Sequence, residues 1–176
     1  MKYAQIRKYD VANGEGIRSV IFVTGCTHGC KGCFNREYWD FTYGKDWDNE
    51  ATQTIIEYLK DPAVSGLTLL GGEPMQNLEL IQIVKDIKKE VDKNIWVFSG
   101  YMYEQILKDP NKLELLKECD VLVDGLFIEE LKNLKLKFRG SENQRVIDIQ
   151  ESLKTGKVVL HKDDLKEVKR VVNDKK

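Results

Sequence analysis

The chain has 176 residues, 41% of them hydrophobic, which is enough for one domain with a buried core. Its 28 basic and 29 acidic residues nearly cancel, and a net charge of -1 excludes long-range attraction to nucleic acid or to an anionic membrane. The first residues lack the apolar core of a signal peptide, and no stretch approaches the ~18 consecutive apolar residues of a membrane span, so we expect a cytoplasmic protein.

Apolar runs and turn residues predict alternating strands and helices over the first 125 residues. Strands are predicted at 19–24, 67–70, 95–98 and 121–123, and helices at 48–60, 78–91 with an Asn77 cap, 103–108 and 111–118. Strands separated by helices favour right-handed crossovers and a mainly parallel sheet. Because an eight-unit barrel needs ~250 residues, we expect a single α/β domain that forms an incomplete, open (β/α) barrel.

The pattern is weaker after residue 125. A polar loop is predicted at 138–145. Two short strands that can pair are predicted at 146–149 and 158–160, with a turn at Gly156 between them. Residues 162–176 carry ten charges, with a weak helical stripe of Leu165, Val168 and Val172. We therefore expect a domain over residues 1–160 and a charged C-terminal tail over 161–176.

Three of the four cysteines, Cys26, Cys30 and Cys33, lie in one glycine-containing loop directly after the first predicted strand. In a reducing compartment such a cluster holds metal more readily than it forms disulfides. Three thiolates leave one iron of a four-iron cubane without a protein ligand, and that iron can bind a small molecule. The loop therefore favours an iron–sulfur centre with an open coordination position.

Two other interpretations of the loop stay open at this point. The three cysteines and His28 can form a zinc site, although His28 has only one residue between it and each neighbouring cysteine, closer than zinc ligands usually stand. Alternatively, Cys119 can be the fourth ligand of an electron-transfer cluster. Cys119 precedes a predicted strand, however, so we expect it at the opposite edge of the sheet as a buried small hydrophobic residue.

Further polar or glycine motifs also follow predicted strands. They are Gly71-Gly72-Glu73-Pro74, Ser99-Gly100-Tyr101 and Asp124-Gly125. Because the carboxyl ends of parallel strands meet at one edge, these motifs and the cysteine loop should share a ligand-binding rim. Such a glycine pair is often only a turn, but it also allows close backbone approach to a ligand, and Glu73 can accept a hydrogen bond from a ligand ammonium. Phe34 follows the last cysteine and is placed either in the core or over an aromatic ring such as adenine.

No nucleophile, base and orienting acid form a recognisable set in this sequence. His28 lies in the cysteine loop and His161 in the charged tail region, and neither is a convincing general base. Residues 13–18 are typical of a turn before a strand. The less favoured alternative is that Arg18, the last of them, binds the carboxylate of a ligand. We therefore expect no catalytic side chain and chemistry carried by a cofactor.

The CX3CX2C pattern of Cys26 to Cys33, followed by a GGEP turn after a later strand, resembles the radical S-adenosylmethionine enzymes. Among them, the chain is similar to the small glycyl-radical activases of anaerobic ribonucleoside-triphosphate reductase. The matching stretches are 13–18, 25–26, 32–35, Trp39, 96–101, 123–125, Phe127, 139–141 and 143–144. One departure is Glu15, where the family usually has proline.

The resemblance implies a [4Fe-4S] cluster on Cys26, Cys30 and Cys33, with the fourth iron bound to the amino and carboxylate groups of S-adenosylmethionine. The glycine turn would hold the methionine end, and the backbone after the second cysteine would meet the adenine. The cofactor-binding residues implied in this way are Gly32, Cys33, Phe34, Gly71, Gly72, Glu73 and Ser99.

The same resemblance implies an activity and its partners. Reductive cleavage of S-adenosylmethionine would give a 5'-deoxyadenosyl radical, which abstracts a hydrogen from a glycine of the reductase. The partners would be the large glycyl-radical subunit, docked near residues 139–144, and an electron donor such as flavodoxin, with no nucleic acid and no membrane. The alternatives are another small radical enzyme, either a pyruvate formate-lyase-type activase or one acting on a small molecule, and a non-enzymatic zinc or iron–sulfur module.

Overall fold

The computed structural model describes residues 1–164, which contain seven strands and five helices. The strands are β1 (Lys2–Asp10), β2 (Arg18–Val23), β3 (Lys45–Asp46), β4 (Gly66–Gly71), β5 (Asn94–Phe98), β6 (Val121–Asp124) and β7 (Arg145–Asp148). The helices are α1 (Asn49–Leu59), α2 (Leu80–Glu90), α3 (Tyr103–Leu107), α4 (Pro110–Lys117) and α5 (Ile149–Thr155). Short 3-10 turns lie at Arg36–Trp39, Pro74–Gln76 and Glu129–Leu131.

All seven strands belong to one sheet with the order β3-β1-β2-β4-β5-β6-β7. The central strands β2, β4, β5 and β6 are parallel, while β1 and β7 run antiparallel to their central neighbours. Because β3 is antiparallel to β1, it points the same way as the central four strands. The expected single α/β domain with a mainly parallel sheet is confirmed.

The central half of the chain follows its apolar pattern. β2 is buried along its whole length, as its run of β-branched and aromatic residues predicts. The predicted Asp48 cap is present, with the backbone amide of Ala51 donating to Asp48 Oδ1 at 2.8 Å. Helices α1 and α2 bury Ile55, Leu59 and Val84 in the main core, which also includes residues of the four central strands.

The flanking regions depart from the predictions. Strands β1 and β3 and helix α5 were not predicted, and α2 begins at Leu80 rather than after an Asn77 cap. The predicted strand at 146–149 is β7, but the one at 158–160 is reduced to a single bridge between Leu160 and Ile147. The predicted stripe of Leu165, Val168 and Val172 lies outside the described residues.

Between residues 1 and 164, none of the helices combines the length and the apolar character that crossing a membrane requires.

Arg18 lies fully buried at the amino end of β2. Its guanidinium donates to Thr68 Oγ1 at 2.8 Å, to the Leu67 carbonyl at 2.8 Å and to Asn94 Oδ1 at 2.7 Å. Burial lowers the pKa of Arg18 to about 10. Since the cysteine loop follows the other end of β2, this arginine joins β2, β4 and β5 at the far edge and is not a ligand-carboxylate contact.

Replacing Arg18 with methionine should lower the free energy of unfolding by about 3 kcal/mol, because several buried oxygen acceptors lose their donors. The measurement is urea unfolding followed by circular dichroism under anaerobic, reducing conditions. Arg36→Met is the matched control at an exposed arginine, and we expect it to cost less than ~1 kcal/mol. Equal losses in the two variants would contradict a structural role for Arg18.

Candidate functional site

The four motifs that follow the central strands meet at one edge of the sheet, as predicted. They surround a cavity of about 150 Å³. Its lining includes Cys26, Cys30, Cys33, Gly71, Gly72, Glu73, Ser99, Gly100 and Gly125. The structure therefore brings together all three candidate metal ligands. Five of the seven implied cofactor contacts also line this cavity, and Cys33 belongs to both sets.

The cysteine loop starts from a fixed point directly after β2. The backbone amides of Gly25 and Cys26 donate to the carbonyls of Tyr38 at 2.8 Å and Trp39 at 3.0 Å. Gly25 has a φ of 99° and lies against the Phe41 ring, so a side chain at this position would be strained and would collide with that ring. These contacts hold the first cysteine against the chain segment that follows the last one.

All three loop cysteines are free and half-buried. Burial raises the pKa of Cys26 to about 11, and it also raises the pKa of Cys30. Trp39 Nε1 lies 3.4 Å from Cys33 Sγ and donates to it. A thiolate at Cys26 or Cys30 therefore needs a compensating positive charge, which a bound metal centre supplies.

The three loop cysteines line one cavity, together with His28 and Glu73. Three thiolates leave one iron of a four-iron cluster without a protein ligand. The loop can therefore hold a cluster that has one open iron.

Glu73 is the central polar side chain of the site and is only 1% exposed. One carboxylate oxygen accepts from the Met75 amide at 2.9 Å and from Ser99 Oγ at 2.8 Å. The other accepts from the Gly100 amide at 2.8 Å and from His28 Nε2 at 2.7 Å. One carboxylate thus joins the cysteine loop to the turns after β4 and β5, and His28 Nε2 is one of its four hydrogen-bond partners.

Gly71 and Gly72 are required by close packing behind the cysteine loop. A Cβ at Gly71, whose φ is 109°, would lie 2.5 Å from the Val23 carbonyl, and one at Gly72 would lie 2.6 Å from the Gly25 carbonyl. The Gly72 amide donates to the Val23 carbonyl at 2.7 Å. Asn35 Nδ2 donates to the Gly71 carbonyl at 3.3 Å. The glycine turn therefore packs directly on both ends of the cysteine loop.

A second cavity of about 440 Å³ adjoins the first and shares the lining residues Asn35, Leu70, Phe98, Phe127 and Gln144 with it. Phe34 lines this larger cavity, is 61% exposed, and has its ring centre 5.1 Å from that of Phe127. Gly32 lines neither cavity and faces Glu129. The structure thus places Phe34 in the larger of two connected cavities.

The polar loop predicted at 138–145 borders the larger cavity and is closed on itself. Gln144 Oε1 accepts from the amides of Gly140 at 2.8 Å and Ser141 at 3.1 Å, and Arg139 Nη1 donates to the Gln144 carbonyl at 2.9 Å. Phe138 has a φ of 62°, which is costly for a residue with a side chain. Its ring packs edge-on against Trp96, with the ring centres 5.1 Å apart. The strained residue is therefore held by tertiary packing.

Gln76 contributes to the site and was not identified from the sequence, whereas its partner Tyr101 belongs to a motif that was predicted at this rim. Gln76 Nε2 donates to Thr27 Oγ1 at 2.7 Å and to the Tyr101 hydroxyl at 2.9 Å. The Tyr101 ring packs edge-on against His28, with centres 4.7 Å apart. These contacts hold the first part of the cysteine loop over the glycine turn, and they join residues too distant in the sequence to be read as one motif.

Cys119 is fully buried, with Sγ 3.4 Å from the Leu115 carbonyl, and it precedes β6. Burial raises the pKa of its thiol strongly. The prediction of a buried small hydrophobic residue is confirmed, and Cys119 as a fourth cluster ligand is excluded.

Comparisons with known proteins agree with a cluster at this site. A family model described as a 4Fe-4S single cluster domain matches residues 12–147. The chain is 44% identical over 150 residues to the anaerobic ribonucleoside-triphosphate reductase-activating protein of Haemophilus influenzae, covering 82% of this chain and 96% of the relative. It is 40% identical to the protein of the same name from Enterobacteria phage T4, covering 83% of this chain and 93% of the relative. It is 36% identical to the Escherichia coli K12 protein of that name, covering 83% of this chain and 97% of the relative.

Replacing Glu73 with glutamine should lower the free energy of unfolding by about 2 kcal/mol, because an amide NH2 group then faces a buried donor. Urea unfolding of the metal-free chain measures the loss. The control is Glu90→Gln, an exposed carboxylate at the end of α2, which should change stability by less than ~0.5 kcal/mol. A Glu73→Gln variant as stable as this control would show that the four hydrogen bonds do not hold the site together.

Proposed function

The chain belongs to the family of anaerobic ribonucleoside-triphosphate reductase-activating proteins, and on that premise we propose how its residues carry out the activation. It is a glycyl-radical activase with a 4Fe-4S single cluster domain, and it acts on the anaerobic ribonucleotide reductase. The cluster ligands, the S-adenosylmethionine contacts and the docking surface described next are our proposals.

Cys26, Cys30 and Cys33 hold the [4Fe-4S] cluster in this proposal. The observation that carries it is the set of three half-buried thiols facing one cavity, in a chain that matches a 4Fe-4S single cluster domain. These cysteines would hold a cluster that, when reduced, would supply the electron for splitting S-adenosylmethionine into methionine and a 5'-deoxyadenosyl radical, and that radical would take a hydrogen atom from a glycine of the reductase. Trp39 donates a hydrogen bond to Cys33 and so stabilises negative charge on that sulfur.

The methionine end of S-adenosylmethionine would bind at Gly71, Gly72, Glu73 and Ser99. The carboxylate of Glu73 already accepts four hydrogen bonds, so its role in our proposal is to fix the glycine turn and Ser99. The ligand's ammonium and carboxylate groups would then meet backbone groups of the turn. Rigid backbone donors and acceptors orient a small ligand with little loss of entropy on binding.

The adenine would lie against the backbone of Gly32 and Cys33 and against the ring of Phe34. Phe34 supports this placement because it lines the cavity of about 440 Å³ that adjoins the cysteines. Phe98, Phe127 and Leu70 line both cavities and would keep water away from a reactive radical.

The glycine-bearing loop of the large reductase subunit would enter the larger cavity. Arg139, Gly140 and Gln144 line that cavity, and Leu134, 82% exposed, stands at its border. We therefore place the docking site of the reductase at the loop of residues 139–144. An electron donor such as flavodoxin completes the proposed set of partners.

We also propose that the sheet is an incomplete, open (β/α) barrel, which would leave the rim accessible to a polypeptide substrate. The order of the four parallel strands and the position of the site at their carboxyl ends support this architecture. The division into a domain of residues 1–160 and a charged tail of residues 161–176 also remains a proposal.

Cys30→Ala should lose most of the iron after anaerobic reconstitution and should no longer cleave S-adenosylmethionine, because the cluster loses one of three ligands. Iron analysis and detection of 5'-deoxyadenosine measure the two losses. Cys119→Ala is the matched control: it removes a buried thiol away from the site and should retain the wild-type iron content. Wild-type iron and cleavage in Cys30→Ala would contradict the ligand assignment.

The reductase itself distinguishes the proposed activity from its alternatives. Electron paramagnetic resonance should show a glycyl radical after the reduced protein, S-adenosylmethionine and the large subunit are mixed. Cleavage of S-adenosylmethionine with no glycyl radical would indicate a different radical enzyme, and a reconstituted cluster without cleavage would indicate an electron carrier.

Phe34→Ala should weaken S-adenosylmethionine binding about tenfold, the loss expected for one aromatic contact worth ~1.5 kcal/mol. Equilibrium binding to the reconstituted protein measures the change, and the iron content should stay at the wild-type value. Tyr9→Ala, at an aromatic residue that is 51% exposed and lines neither cavity, serves as the control. Unchanged affinity in Phe34→Ala would remove Phe34 from the adenine site.

A further inference from the structure

Three potential metal ligands from distant segments meet away from the cysteine loop. They are Glu15, His161 and Asp163, and one ligand atom of each lies within 4.8 Å of the others. Glu15 belongs to the turn before β2. The other two follow Leu160, whose bridge to Ile147 places their segment beside β7. The amide of His161 also donates to the Val146 carbonyl at 2.8 Å, so this segment is fixed on the sheet.

Asp163 is unusual because its carboxylate is buried while one of its oxygens has no hydrogen-bond donor. Its side chain is only 7% exposed, and its Oδ2 atom has no hydrogen-bond partner. A buried carboxylate oxygen without a donor costs free energy unless a positive charge compensates it. The unpartnered oxygen is the one that faces His161.

His161 presents a ring nitrogen to the same point. Its Nδ1 accepts a hydrogen bond from the backbone amide of Asp163 at 3.3 Å and lies 3.4 Å from Asp163 Oδ2. Ligands of a tetrahedral ion with bonds of ~2.1 Å also stand ~3.4 Å apart. Trp96 packs edge-on against the imidazole at 5.3 Å and orients it.

We propose that Glu15, His161 and Asp163 bind one divalent transition-metal ion such as Zn²⁺, with water completing the coordination. One imidazole nitrogen and two carboxylates suit such an ion better than Mg²⁺ or Ca²⁺, which prefer oxygen ligands alone. The ion would tie the turn before β2 to the segment after β7. Because Ala12 and Asn13 of that turn line the larger cavity, the ion would also stiffen one cavity wall.

Lys162 is one group that competes with the ion for Glu15. Its Nζ lies 2.8 Å from Glu15 Oε1, and both side chains are more than half exposed. A solvent-exposed pair of this kind contributes little, so a divalent ion can displace the ammonium from Glu15. Removing the lysine should therefore tighten metal binding, a result that a purely structural ion pair would not give.

The test uses the reconstituted holoprotein, in which the loop thiols are already occupied. Anaerobic calorimetric titration with Zn²⁺, followed by desalting and metal analysis, should give one zinc per chain in addition to the iron. Asp163→Asn and His161→Ala should each weaken zinc binding at least tenfold, and Lys162→Ala should strengthen it several-fold. Glu90→Gln, an exposed acid on α2, should bind zinc as the wild type does.

Zinc uptake that is absent from the wild type, or equal in Asp163→Asn and the wild type, would overturn the site. Unchanged or weaker binding in Lys162→Ala would also overturn it, and that exposed substitution does not threaten folding. The readout is metal affinity rather than activation of the reductase, so a failure of the zinc site is distinguishable from a failure of the proposed function.

Discussion

The site depends on the buried carboxylate of Glu73. Its two oxygens accept from His28 in the cysteine loop, from Met75 after β4, and from Ser99 and Gly100 after β5. A buried charge is stable only when its lone pairs are filled, and here the three segments that fill them also form the cavity. The hydrogen bonds that the buried Glu73 carboxylate requires therefore fix the relative positions of the cysteine loop and the two turns.

Packing around this carboxylate leaves little freedom for the cysteine loop. Gly71 and Gly72 lie so close to Val23 and Gly25 that no larger residue fits, and Gln76 holds Thr27 from the other side. The thiols themselves remain half-buried, and burial disfavours the charged form of Cys26 and Cys30. The loop is therefore held in place by its packing, while the thiolate forms of Cys26 and Cys30 are stabilised by a cationic centre.

The sequence predicts the centre of the fold better than its edges. β2, β4, β5 and β6 are short apolar runs, and the crossover rule places their polar ends on one rim, so the shared cavity follows from local signals. β1 was missed because its nine residues carry no clean apolar face. The Glu73 hydrogen bonds, the Gln76 contacts and the burial of Arg18 depend on tertiary proximity, which periodicity and spacing do not encode.

The two edges of the sheet are covered to different extents. The chain after α5 covers β7, with the Asp148 amide donating to the Val159 carbonyl at 2.9 Å, and the opposite edge ends in the two-residue strand β3, whose Lys45 and Asp46 are charged and exposed. Unpaired backbone edges recruit strands from other chains and promote aggregation. Among the described residues, β3 pairs with only Lys2 and Tyr3 of β1. The rest of β1 is an edge without a paired strand, and its charged Arg7 and Lys8 oppose the addition of a strand from another chain.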